Sequence, residues 1–135
     1  MAKEFNGSCN CGEIKFKAYG DVSDFVLCHC SYCKKDTGSG NASNIFLKKY
    51  RMTWIGNQLL IRNYNIPNTL HSKSFCAQCG SALPFEMEDI NILMLPAGSI
   101  DEDLDVNPRA HIFSSNLKSW EEDSESLIKY EKLPL

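Results

Sequence analysis

A chain of 135 residues, 43% hydrophobic and 23% charged, has the size and balance of one globular domain, which argues against a disordered or fibrous architecture. Fourteen Lys and Arg against seventeen Asp and Glu leave a net charge of −3, without the basic footprint that general nucleic-acid binding uses to displace counterions from phosphates. The longest apolar runs, at Phe25 to Cys28 and Ile92 to Leu95, fall far short of the ~20 residues that cross a bilayer.

Taken in chain order, the segment Met1 to Asn10 lacks the apolar stretch of a secretory signal. Glu13 to Tyr19 sets Ile14, Phe16 and Ala18 against Lys15 and Lys17, the period-two pattern of a half-buried strand. Asp24 to Leu27 reads as a second strand. Ser31 to Asp36 suits a single helical turn. Arg51 to Ile55 and Gln58 to Tyr64, separated by Gly56-Asn57, read as a hairpin. Thr69 to Phe75, Ala82 to Met87 and Asn91 to Leu95 supply further short strands, and Asn116 to Glu122 another helical turn with Asn116 as its cap. The acidic run Glu121 to Glu125 reads as a solvated surface. Neither repeats nor a linker divide the chain, so the expectation is a mainly β, single-domain protein over residues 1–135, soluble and cytoplasmic.

Seven cysteines stand out from this ordinary composition. In a reducing compartment clustered cysteines point to metal ligation or catalysis rather than disulfides, and an odd number points the same way. They fall into Cys9-x-Cys11, Cys28-x-Cys30-x-x-Cys33 and Cys76-x-x-Cys79. Cys11 is followed by Gly12 and Cys79 by Gly80, and a glycine there permits the positive φ that turns backbone N–H groups toward thiolate sulfurs. Two such knuckles brought together make one closed four-sulfur zinc site on Cys9, Cys11, Cys76 and Cys79. The remaining three, Cys28, Cys30 and Cys33, lie within six residues and can face one zinc, with a fourth tetrahedral position left for chemistry.

Around the central group, Lys34 and Lys35 are candidates to receive an anionic substrate, and Ser39 and Asn41 to line the mouth of the site. His29 reads as a partner of the ligands rather than a ligand, and His71 and His111 as packing residues. Nucleotide-binding and serine-nucleophile fingerprints are missing from the sequence.

The stretches Gly7-Ser8-Cys9-Asn10-Cys11-Gly12, Cys28-His29-Cys30-Ser31-Tyr32-Cys33-Lys34-Lys35 with Thr37-Gly38-Ser39, and Phe75-Cys76-Ala77-Gln78-Cys79-Gly80-Ser81 resemble the glutathione-dependent formaldehyde-activating enzyme family, whose domain also occurs in centromere protein V. Ala97 to Asp101, Pro108, His111-Ile112 and Trp120 add weaker matches. The resemblance implies a zinc-stabilised, twisted two-sheet β-tent fold with two zinc ions: a structural one on Cys9, Cys11, Cys76 and Cys79, and a catalytic one on Cys28, Cys30 and Cys33. It implies a carbon–sulfur lyase that adds a thiol, glutathione in the family, reversibly to formaldehyde. The family commonly has two arginines where this chain has Lys34 and Lys35, which keep the charge without the bidentate fork. Two other readings of the same cysteines are a non-catalytic zinc-stabilised protein-binding module and a redox switch.

Overall fold

In the computed structural model, residues 2–122 and 124–134 are described; Met1, Asp123 within the acidic run, and Leu135 lie outside them. Ten elements of regular structure follow in order: β1 (Ala2–Ser8), β2 (Ile14–Cys28), α1 (Ser31–Thr37), β3 (Ala42–Gly56), β4 (Ile61–Asn65), β5 (Ser72–Cys76), β6 (Ala82–Leu83), β7 (Phe85–Met87), β8 (Ile92–Pro96) and β9 (Ala110–Ile112). They build two sheets. The larger runs β1-β2-β3-β8-β7, with β9 laid parallel to the far end of β2; the smaller is β4-β5-β6. The mainly β, two-sheet architecture is the one the sequence implied.

The alternation at Ile14, Phe16 and Ala18 does bury one face, but it belongs to a strand longer than expected. β2 continues through Cys28, with register shifts between Tyr19 and Asp21 and between Val22 and Asp24 that bend it rather than end it. Its length serves two neighbours along one edge: β1 from Lys15 to Asp21 and β9 from Val26 to Cys28. Phe5, Phe16, Ala18, Phe25, Ile45, Leu47, Leu93, Leu95 and Ile100 form the main core on this sheet.

The hairpin read at Gly56-Asn57 does not form. Arg51 to Gly56 pairs instead with the start of β2, Ile14 facing Gly56, and the Asn57 N–H bonds to the Glu13 carbonyl at 2.8 Å. The turn chemistry of Asn57 is used as a cap: its side chain accepts from the Leu59 N–H at the start of a short 3-10 turn, Gln58–Leu60. The chain then enters the smaller sheet, where Ile61 faces Cys76. Ala82 to Met87 likewise divides at the buried Pro84, with β6 in the small sheet and β7 in the large one. A proline cannot donate to a ladder, which suits a strand changing sheets. Near the C-terminus, Asn116 closes one 3-10 turn (Ser114–Asn116) rather than capping a helix, and a second covers Ser119–Glu121. No helix among the described residues is long and apolar enough to cross a membrane.

Candidate metal centres and the adjoining cavity

Cys9 and Cys11 lie in the turn between β1 and β2, Cys76 ends β5, and Cys79 lies in the turn before β6. Both turns close in the same way: the Gly12 N–H bonds to the Cys9 carbonyl and the Gly80 N–H to the Cys76 carbonyl. Both glycines adopt positive φ, 77° and 76°, as a left-handed turn residue must. The two turns are tied by the Asn10 N–H donating to the Ser81 hydroxyl at 2.9 Å. Four sulfurs result, all within 4.8 Å of one another, with Cys9 Sγ at 3.5 Å and Cys76 Sγ at 3.8 Å from Cys11 Sγ. Zinc–sulfur bonds of about 2.3 Å in a tetrahedron place sulfurs about 3.8 Å apart, so this donor set fits a tetrahedral thiophilic metal. Hydrogen bonding with the Ser81 hydroxyl, 3.2 Å away, and with the Ser81 backbone brings the Cys79 thiol down to about 5, toward the ionised state that ligation needs.

The second group is built by one short segment. β2 delivers Cys28, Cys30 is the N-cap of α1, and Cys33 follows in its first turn. The Cys30 sulfur accepts the Cys33 N–H at 3.3 Å, and that N–H helps lower the Cys30 thiol against the burial that opposes it. Burial pushes the Cys33 thiol up. The three sulfurs lie within 4.8 Å of one another, and among the described residues no fourth His, Cys, Asp or Glu joins them. Cys28 and Cys33 are buried and Cys30 is partly exposed.

His29 is no ligand. It is 3% exposed, with Nδ1 2.9 Å from the Gly40 carbonyl oxygen and Nε2 2.8 Å from His111 Nδ1. Glu121 reaches the same place from the C-terminal segment, 3.4 Å from His29 Nδ1 and 2.7 Å from Lys34 Nζ. Lys34 also donates to the Asn116 carbonyl. Lys34 is therefore committed to the protein itself, contrary to its expected role as a receptor for substrate, while Lys35 is exposed.

Between the two sheets lies a cavity of about 790 Å³. β3 contributes Ala42, Ser43 and Asn44, β5 contributes Lys73 to Phe75, and α1 contributes Asp36 and Thr37. The cavity borders the three-sulfur group without touching a sulfur: Ala42 packs on Cys28 and Cys33, and Thr37 Oγ1 donates to the Cys33 carbonyl at 3.0 Å. Asn41 lines this cavity and Ser39 does not. Asp36, His71 and Lys73, which the sequence did not mark as a group, meet on its wall.

A family model described as glutathione-dependent formaldehyde-activating enzyme matches residues 4–116. Among solved structures, the crystal structure of a Rhodobacter sphaeroides protein, a structural genomics target, has a TM-score of 0.54 at 18% identity, covering 78% of this chain and 98% of that chain; at that identity the likeness concerns the fold. No curated protein matches the chain.

Proposed function

The chain belongs to the glutathione-dependent formaldehyde-activating enzyme family, and from that premise we propose that it is a zinc-dependent carbon–sulfur lyase, catalysing reversible addition of a thiol such as glutathione to a small aldehyde such as formaldehyde. In this reading Cys9, Cys11, Cys76 and Cys79 hold a structural zinc, and Cys28, Cys30 and Cys33 hold the zinc of the active site. The observation that carries it is the contrast between the two groups, four convergent sulfurs in one and three in the other. Closed sites are structural and three-ligand sites leave a position for chemistry.

Bound by three thiolates, zinc supplies a Lewis-acidic centre at which a substrate thiol loses its proton more readily. The protein's own residues do the rest. Cys30, the most accessible of the three, marks the side from which a thiol approaches. The cavity, within the 300–1,000 Å³ range of small-molecule sites, offers the hydroxyl and amide groups of Thr37, Asn41, Ser43 and Asn44 beside the sulfur group. These are donors and acceptors suited to a thiol with peptide-like amides. All seven cysteines are free, which accords with a reducing, cytoplasmic setting.

Cobalt substitution tests the proposal. A small thiol added to the cobalt protein should intensify the sulfur-to-metal charge-transfer absorption, and the zinc protein should accelerate formation of the hydroxymethyl thioether over the uncatalysed rate. If no thiol in a broad panel perturbs the spectrum and a fourth protein ligand is found, the zinc-stabilised binding module becomes the better account.

A further inference from the structure

Thiol addition to an aldehyde moves one proton from sulfur to oxygen, and the cavity wall carries a pair suited to move it. Resting on the proposed function, we infer that His71, oriented by Asp36, is the residue that takes and returns this proton. The turn between β4 and β5 brings His71 to α1, where its Nε2 lies 2.5 Å from Asp36 Oδ2. Tyr32, four residues before Asp36 on the same helix face, packs on the imidazole with ring centroids 5.2 Å apart and planes at 41°. Tyr32 and Asp36 flank Cys33 in the sequence, so the imidazole is fixed by the helix that carries a sulfur of the candidate active site.

A carboxylate that accepts from one imidazole nitrogen fixes the tautomer, makes the other nitrogen the base, and stabilises the imidazolium that forms. Nε2–H donates to Asp36, so Nδ1 is the proton acceptor; none of the described residues hydrogen-bonds to it. The ionisable groups around the ring are Asp36 and Tyr32 from α1, Lys73 from β5 and, on the same cavity wall, Tyr64 from β4. Lys73 Nζ stands 3.3 Å from Asp36 Oδ1, a second partner for the same carboxylate. The remaining lining residues are uncharged.

The step balances without an added reagent. The thiol proton passes to His71 Nδ1 and the sulfur lone pair forms the carbon–sulfur bond. The carbonyl π pair moves to oxygen, and the imidazolium returns its proton there, giving the hemithioacetal and neutral His71. The reverse sequence breaks the adduct.

The test compares the zinc-loaded full chain with His71→Gln, whose side-chain amide can still donate to Asp36 but cannot take a proton, and with Asp36→Asn. Calorimetry in buffers of different ionisation enthalpy counts the protons released when a small thiol binds. The wild type should release clearly fewer than His71→Gln, which should approach one per thiol, with thiol affinity changed less than about threefold. Turnover should fall on the order of 10²- to 10⁴-fold in His71→Gln, the usual range for a lost acid–base residue, and fall in the same direction in Asp36→Asn. If the wild type binds thiol and turns over but His71→Gln matches it in proton release and rate, the relay is wrong and the proposed function stands. If the wild type neither binds a thiol nor accelerates the reaction, both fail. Should His71→Gln not fold, Asp36→Asn decides alone, and wild-type proton release and rate in that variant overturn the relay.

Discussion

The carboxylate of Glu121 stands 2.7 Å from the ammonium of Lys34, and the two side chains are only 4% and 12% exposed. A residue beyond the stretch that matches the family model thus reaches back to the segment holding the three-sulfur group. The same carboxylate approaches His29, between two of the sulfurs, and accepts the Lys118 N–H. Outer partners of this kind orient the ligands of metal sites. Position 34 therefore acts in shaping the cysteine segment, and its charge is already answered from within the protein.

Glu121→Gln should lower the melting temperature at neutral pH. Burial works to raise the Glu121 carboxyl, but Lys34, the Lys118 N–H and His29 outweigh it and hold it down to about 2, against an ordinary 4.5. A carboxyl depressed on folding contributes its stability above the unfolded value, and the contribution disappears as pH falls toward the folded one. The gap in melting temperature between wild type and Glu121→Gln should accordingly be steady above about pH 5 and shrink as the solution is acidified. Thermal unfolding over a pH series checks this, and a gap independent of pH would show that the charge of Glu121 contributes nothing.

Gly7→Ala should destabilise the main core without touching either sulfur group. A Cβ at position 7 would lie 2.1 Å from Phe16 Cζ and 2.5 Å from the Ser99 carbonyl oxygen. Phe16 is 1% exposed, within the main core and in edge-on contact with Trp54 at 6.0 Å, so it has little room to retreat. Overpacking of this kind costs about 1–3 kcal/mol. Denaturant unfolding should give a lower midpoint with an unchanged slope and unchanged metal content.

Gly7 also shows what sequence pattern could not reveal. Ala2 to Ser8 has no alternation of apolar and polar side chains, and β1 is buried at Phe5 and at a glycine over which Phe16 lies. Pattern reading recognises side chains that bury themselves; it does not see a backbone buried by a distant ring. The cysteine groups were legible because ligand spacing is local: Cys30 and Cys33 meet within one helical turn, and each glycine closes its own knuckle. Asp36, His71 and Lys73 were not, since they meet only when the turn between β4 and β5 crosses to α1. The same holds for Glu121, whose segment reads as a solvated acidic run until its return to Lys34 is seen.

The two sulfur groups should respond differently to loss of a thiol. Cys79→Ser removes one of the four sulfurs that join the turn after β1 to the turn after β5, and that site ties the large sheet to the small one. Cys9 and Cys76 are also 4% and 0% exposed, within a small core with Ile14 and Leu83. A structural zinc contributes on the order of 10 kcal/mol to folding, so losing this tie should unfold the domain or lower its melting temperature severely. Cys33→Ser alters a group drawn entirely from residues 28–33, while the main core of β1, β2, β3 and β8 keeps all its contacts. That variant should lose the second metal yet melt cooperatively, with a much smaller drop. Metal analysis and thermal unfolding of the two purified variants separate these outcomes. Equal collapse of both, or a Cys33→Ser variant less stable than Cys79→Ser, would mean that the structural and catalytic roles had been assigned the wrong way round.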